Sequence, residues 1–251
     1  MKKTYRWDNL TRPEIEELVA KQAIVIIPLG STEQHGPHLM VGADALLSTG
    51  ISELVAQKLI ADGHPAVVAP TISVANSIHH MDFPGTITLQ PTTYMQMLLE
   101  YCQCLAKHGF KKIAMINGHG GNNFPTQTAI ITINEALGFP VYFMSYECGS
   151  EKEIDGILES QPHGIHACEM ETSVALHLYP DLVDPSYKET SYGGITKQNG
   201  GRPAGPYTFR RFKSRTPIGM IGNANMASPE KGKRLVDQMT VRLAELIADL
   251  W

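Results

Sequence analysis

Four short apolar runs, each bounded by glycine or proline, punctuate the first 150 residues: "AIVIIPLG" at 23–30, "AVVAPTIS" at 66–73, "KIAMIN" at 112–117 and "PVYFMSY" at 140–146. A run this short, with no polar residue alternating through it, predicts a strand buried on both faces, as parallel sheets require. Helical periodicity fills the gaps, in "DALLSTGISELVAQKLI" from Asp44, "PTTYMQMLLEYCQCLAKHG" from Pro91 and "NFPTQTAIITINEALG" from Asn123; the last two close on glycine. A further helix is predicted over "HACEMETSVALHLYP" at 166–180, and an amphipathic one over 228–250. This alternation predicts an α/β fold in three layers, a mostly parallel sheet with helices on both faces and right-handed crossovers. No linker divides the chain, so residues 1–251 are expected to form a single domain. The segment 184–227 is rich in Gly, Pro and Tyr without periodicity, and loops of that length inside a domain are more often functional or oligomer-forming than idle.

Composition narrows the partners. With 43% hydrophobic and 18% charged residues and a net charge of -4, the chain reads as globular and lacks the Lys/Arg stripe of a nucleic-acid or anionic-membrane binder. A small molecule is the expected partner. The basic cluster "RRFKSR" at 210–215 reads as solvated surface. The N-terminal stretch is too polar for a signal peptide, and no apolar run reaches the roughly 18 residues of a membrane helix, so a cytoplasmic location is expected. Cys102, Cys104, Cys148 and Cys168 have neither CxxC spacing nor disulfide density and read as reduced thiols.

The polar residues after the strands carry the chemistry. In an open parallel sheet, ligands bind outside the carboxyl ends of the strands. "STEQHG" follows the first strand, His79 and His80 follow the second, "NGHGGN" at 117–122 follows the third, and Asp44 opens the first helix. Glu33 and His35, one residue apart, project to the same side of extended backbone. His119 stands among Gly118, Gly120 and Gly121, which permit tight bending and close approach to a ligand. His166 and Glu169, three apart, share a helix face. Taken singly, Asp44 reads as a first-turn acid and each histidine as an ordinary loop residue; His64, His108 and His177 keep that reading. Together on one rim, carboxylates and imidazoles without thiolate form the donor set of Zn, Mn or Fe sites that keep positions open for water.

The motifs "GSTEQHGPHLMVGAD", "HMDFPGTITL", "NGHGGN" and "HACEMETS", in this order over residues 28–178, resemble the creatininase (creatinine amidohydrolase) family. The resemblance implies a layered α/β fold, a divalent-metal centre of two ions, hydrolysis of a C–N bond in a cyclic or simple amide, and a homohexamer. It makes Glu33, His35, Asp44 and His119 metal ligands, with Asp44 bridging, and His166 the histidine near the scissile bond. Two departures stand out. Creatininase proper reads like "NGHYEN", whose glutamate is a ligand, where this chain has Gly121. It also has a non-acidic residue where this chain has Glu169, so Glu169 is expected to return the missing carboxylate. The tryptophans with which creatininase covers its substrate are absent, since only Trp7 and Trp251 exist here.

The expected chemistry is metal-activated water attacking a C–N bond, with Gly120 and Gly121 amides holding the oxyanion. His166 protonates the leaving nitrogen, and His79 and His80 face the substrate; Glu171, catalytic in supporting the site, orients a metal-bound imidazole, or else is a buried helix acid satisfied by backbone donors. Two alternatives stay open: hydrolysis of a carbon–carbon bond in a cyclic diketone or inosose-type sugar derivative, and a non-catalytic family member. GxGxxG and GxxxxGK are absent after every strand, which disfavours nucleotide chemistry.

Overall fold

The computed structural model describes residues 5–192 and 208–251; of the aperiodic segment 184–227, residues 193–207 lie outside them. Four strands, β1 (Ile24–Leu29), β2 (Ala66–Val68), β3 (Lys112–Asn117) and β4 (Val141–Ser145), form a wholly parallel sheet in the order β2-β1-β3-β4. Every residue of β1 is buried, as its unbroken apolar run demands. Because successive side chains leave opposite faces, Ile24 and Ile26 feed one core while Val25, Ile27 and Leu29 feed the other.

Helices close both faces. The first core packs against α2 (Ala43–Ala61), α5 (Glu151–Ile157), α6 (Glu169–Leu178) and α7 (Pro229–Ala248), through residues such as Leu47, Ile154, Val174 and Leu235. The second packs against α1 (Arg12–Ala20), α3 (Pro91–Lys107) and α4 (Asn123–Leu137), through Leu18, Leu98 and Ile133. A short antiparallel pair, β5 (Ser191–Tyr192) with β6 (Gly222–Asn223), lies apart from the main sheet. Among the described residues no helix is long and apolar enough to cross a membrane, and all four cysteines are free.

Three local differences from the sequence expectation have physical causes. β2 ends at Val68 rather than 73 because Pro70 has no N–H for the ladder. The chain rejoins β1 beyond it, where the Ile72 N–H donates to the Pro28 carbonyl at 3.0 Å. Helix α1 was overlooked although Thr11 and Glu14 form a reciprocal capping box with Pro13 in the first turn. The helix expected over 166–180 starts only at Glu169. Ala167 has φ +49, a left-handed conformation that an α-helix cannot contain, and His166 upstream is extended, bridging to Ile221.

Candidate metal centre

Four chain segments converge outside the carboxyl ends of the strands. Glu33 and His35 lie in the loop after β1, and Asp44 sits in the first turn of α2. His79 and His80 occupy a 3-10 turn after β2, and His119 follows β3. The Ile221 bridge delivers His166 to the same place. Ligand atoms of Glu33, His35 and Asp44 lie within 4.8 Å of one another, as do those of Glu33, His79 and His119, of Glu33, His80 and His166, and of His35, His166 and Glu171. The sequence grouping of Glu33, His35, Asp44, His119, His79, His80 and His166 is brought together in space.

The hydrogen bonds define what this cluster can hold. His35 Nδ1 donates to the Glu33 carbonyl oxygen at 3.0 Å, so its Nε2 lone pair faces Asp44 Oδ1 at 2.9 Å. His119 repeats the arrangement with its nitrogens exchanged: Nε2 donates to the Asn76 carbonyl at 3.1 Å, leaving Nδ1 2.9 Å from Asp44 Oδ2. Asp44 thus lies between two imidazole nitrogens whose ring partners are already committed, and a proton or a metal ion between each pair makes the contacts attractive. Protons answer this in part. Burial opposes charging His35, but the Asp44 carboxylate outweighs it and lifts its pKa to about 10; His119, likewise against burial, rises to about 9 through Glu33 and Asp44. Asp44 itself is held far below the carboxylate range, burial notwithstanding, by the two histidines.

Glu33 goes further. Both its carboxylate oxygens are buried with no hydrogen-bond partner, and desolvation pushes its pKa to about 7 against the pull of His119. An isolated buried carboxylate costs several kcal/mol unless paired or coordinated. Hard oxygen donors with imidazoles and no thiol match a borderline divalent cation, so the residues present fit a metal.

Two expectations are corrected. Glu169 and His166 do not share a helix face, and Glu169 is turned away from the cluster. Its carboxylate accepts Lys231 Nζ at 2.6 Å, Ser160 Oγ at 2.6 Å and the backbone N–H groups of Glu159 and Ser160. The carboxylate that α6 returns is Glu171, two residues on and therefore about 200° around the helix. Glu171 is buried, its pKa raised by desolvation against the pull of His35, and it accepts the N–H of Ala167, the strained residue beside His166. Gly121 explains the exchange. A Cβ there would collide with the Asn76 carbonyl, with His119 Nε2 and, at 2.8 Å, with His79 Cε1, so this packing admits no glutamate. Gly120 faces open space.

The sequence reading passed over Gln34, inside the "STEQHG" motif itself. Its Oε1 accepts the Gly36 N–H at 3.0 Å, which orients Nε2 to donate to His80 Nδ1 at 2.8 Å. His80 Nε2 is thereby directed at Glu33 Oε1, 3.3 Å away. His166 Nε2 donates to the Gln34 backbone carbonyl at 2.8 Å and presents Nδ1 to Glu33 at 3.6 Å. Gly219, at φ +78, abuts the Gln34 amide and leaves no room for a side chain of its own. Asn117 and Asn122 also escaped notice; Asn117 Oδ1 accepts from both the His119 N–H and Asn122 Nδ2, which pins the glycine loop. The "RRFKSR" cluster is not simply solvated surface, because Phe212 within it is buried against the His80, His166 and His79 rings, at centroid distances of 4.2, 4.8 and 6.3 Å.

Known proteins resemble the chain over most of its length. The chain is 28% identical over 264 residues to the 3-dehydro-scyllo-inosose hydrolase of Thermotoga maritima, covering 97% of this chain and 83% of that protein. It is 30% identical over 231 residues to the mycofactocin precursor peptide peptidase of Mycolicibacterium smegmatis, covering 89% and 84%. A crystal structure of creatinine amidohydrolase superposes with a TM-score of 0.82 at 28% identity, covering 99% of this chain and 98% of that one. Manganese and zinc–zinc forms of creatininase superpose with TM-scores of 0.81 at 27% and 26% identity, each covering 98% of the creatininase chain and 98% and 99% of this one. The creatininase family model, described as creatinine amidohydrolase, matches residues 8–247, and the chain therefore belongs to the creatininase family of hydrolytic enzymes.

Proposed function

We propose that this protein is a divalent-metal-dependent hydrolase of the C–N bond in a small amide or formamide. The observation that carries the reading is Glu33, a fully buried carboxylate with no hydrogen bond to either oxygen, beside an Asp44 held between nitrogens of His35 and His119. Glu33, His35, Asp44 and His119 would hold the metal, with Asp44 as the shared ligand of two ions and Glu171 completing the set. The manganese and zinc–zinc relatives support Zn, Mn or Fe as the ion. Bound divalent ions lower the pKa of water from about 15.7 to near 7 and polarise a carbonyl.

The chain's own groups do the rest. His166 is anchored through Nε2 and offers Nδ1 to the centre, where burial keeps its proton affinity well below that of a free imidazole. A proton accepted there is readily passed on, which suits delivery to the leaving nitrogen. Gly120, open on its outer side, and Gly121 bring backbone to the region where an oxyanion forms. His79, with a pKa pushed down to about 4 by burial, and His80, lowered further, stay neutral and can bind the substrate by hydrogen bonds. Phe212 covers His80 and His166 and excludes water.

Creatinine itself is expected to be a poor substrate. Trp7 packs on Phe110 and Trp251 on Tyr142, so Phe212 is the aromatic cover instead. The inosose hydrolase, similar over 97% of the chain, supports a second reading in which the bond is carbon–carbon. The same proposal takes the chain as one catalytic domain, assembled as a homohexamer in the cytoplasm, which light scattering and cell fractionation test.

Metal analysis of the purified protein, then turnover of a panel of cyclic amides, formamides and cyclic diketones, tests the reading. Tightly held divalent ions and chelation-sensitive amide hydrolysis are expected. Full activity with metal shown to be absent overturns it, and diketone cleavage without amide cleavage selects the second reading.

A further inference from the structure

Phe212 anchors a strongly basic segment at the edge of the centre. It is 4% exposed and stacks on the His80 ring at 28°. Arg210, Arg211, Lys213 and Arg215 flank it within six residues. Arg211 is occupied: it donates to the Ile78 carbonyl at 3.0 Å and lies 3.9 Å from Asp82. The side chains of Arg210, Lys213 and Arg215 make no hydrogen bond or ion pair among the described residues. Lys213 is turned to the Phe83 ring, 5.6 Å from its centroid, whereas Arg215 lies over Phe212 itself.

Arg215 is the one placed to act on a substrate. Its Cζ lies 5.2 Å from the Phe212 centroid, and the Phe212 centroid lies 4.2 Å from that of His80, so one ring separates the guanidinium from the histidines. Partial desolvation and repulsion from Arg210 act on Arg215. Arg210 and Arg215 stand five residues apart in one segment, and an anion bound between two like charges offsets their repulsion. Guanidinium is also the side chain whose planar fork matches carboxylate and phosphate oxygens two at a time.

We propose that Arg215, with Arg210 beside it, binds an anionic group on the substrate, a carboxylate or a phosphate about one aromatic ring away from the bond that is cleaved. This deepens the hydrolase reading and rests on it. Such a pair makes the enzyme a hydrolase of amides that carry an acid, and it distinguishes this chain's substrate from a neutral ring such as creatinine.

The test uses the metal-loaded full-length protein and three probes of one shape: N-formylglycine, N-formylaminomethylphosphonate and the neutral N-formylglycinamide. Dissociation constants are read by calorimetry and KM values by formate release. At least one anionic probe is expected to bind about tenfold or more tightly than the neutral one, the difference of a single charge-assisted contact. Which of the two wins tells carboxylate from phosphate. Arg215→Gln is expected to bring that ratio below about threefold, and Arg215→Lys to retain part of it. A wild-type ratio near one overturns the proposal. So does a ratio that survives in Arg215→Gln with full metal content, since the metal centre would then be reading the anion. Arg210→Gln, expected to lower the ratio by a smaller factor, gives a second reading should Arg215→Gln fold poorly. Metal content of the same samples reports the hydrolase reading separately: a metal-free protein that keeps the preference retains Arg215 and loses the reading beneath it.

Discussion

Glu33 and Glu169 are both 0% exposed, and their surroundings could hardly differ more. Glu169 is saturated, with Lys231, the Ser160 hydroxyl and two backbone amides arranged around it. Glu33 has none of this; histidines stand around it at 3.3 to 3.6 Å without closing a hydrogen bond to either oxygen. Burial of an acid is therefore no mark of function in this fold. An acid buried and left unsatisfied is such a mark, because its desolvation is offset only when something else binds.

Substitutions at the two sites should separate these roles most sharply. Glu33→Gln is expected to lower kcat/KM by about 10³-fold or more, with most of the bound metal lost, because the site forfeits a charge and its central ligand. In the metal-free protein the same change should leave the melting temperature unchanged or raise it, since the desolvation of a buried carboxylate without hydrogen bonds is relieved and outweighs its attraction to His119. A clear fall in thermal stability under chelation would show that Glu33 is a structural acid like Glu169.

Glu169→Gln should do the reverse. It is expected to destabilise the fold by about 2 kcal/mol, the worth of hydrogen bonds to a charged group, with metal content unchanged. Denaturant melts and metal analysis on one preparation read both. Loss of metal with unaltered stability would return Glu169 to the centre and displace Glu171.

Gln34→Leu is expected to cost about tenfold to a hundredfold in metal affinity or kcat/KM, the usual effect of removing a group that orients another ligand. The fold should be retained, and the histidine tautomers read by nitrogen-15 NMR should become mixed at His80. An unchanged His80 tautomer would mean that Glu33 alone orients that ring.

The smallest effect concerns pH. Hydrogen bonds, Lys231's first among them, hold the Glu169 carboxyl below its ordinary value despite its burial. A depressed folded pKa gives stability that is fully present above the unfolded pKa and is lost as pH falls through the folded one. Wild type should thus lose this contribution below the ordinary carboxylate range, and Glu169→Gln should show a shallower acid decline. Parallel declines would sink the assignment.

Legibility followed the range of the interactions involved. β1 and β3 were readable because six consecutive residues suffice to define a doubly buried strand, and α4 because its glycine stop, Gly138 at φ +71, sits in the sequence itself. Glu33, His35, Asp44 and His119 were readable because each lies within a few residues of a strand end, and the parallel sheet carries all strand ends to one rim. The capping box of α1, Thr11 with Glu14, is equally local and equally legible.

What the sequence by itself determined, then, is the parallel sheet and its flanking helices, set by unbroken apolar runs and the 3.6-residue period over short windows, and the rim that gathers carboxylates and imidazoles, set by their place just after the strand ends. Only the tertiary structure decided which acid of "HACEMETS" enters the centre. Local spacing favoured Glu169 on the assumption of a continuous helix. The backbone is instead extended at His166 by its bridge to Ile221, 55 residues away, and turned at Ala167 into a left-handed conformation. Lys231, from α7, then claims Glu169, and Glu171 takes the inward direction. The place of Phe212 and its arginines was decided in the same way, by packing against histidines more than 40 residues distant in the chain. Contacts of that separation leave no periodic trace, because either partner alone is compatible with solvent and only their meeting in the folded chain gives each its role.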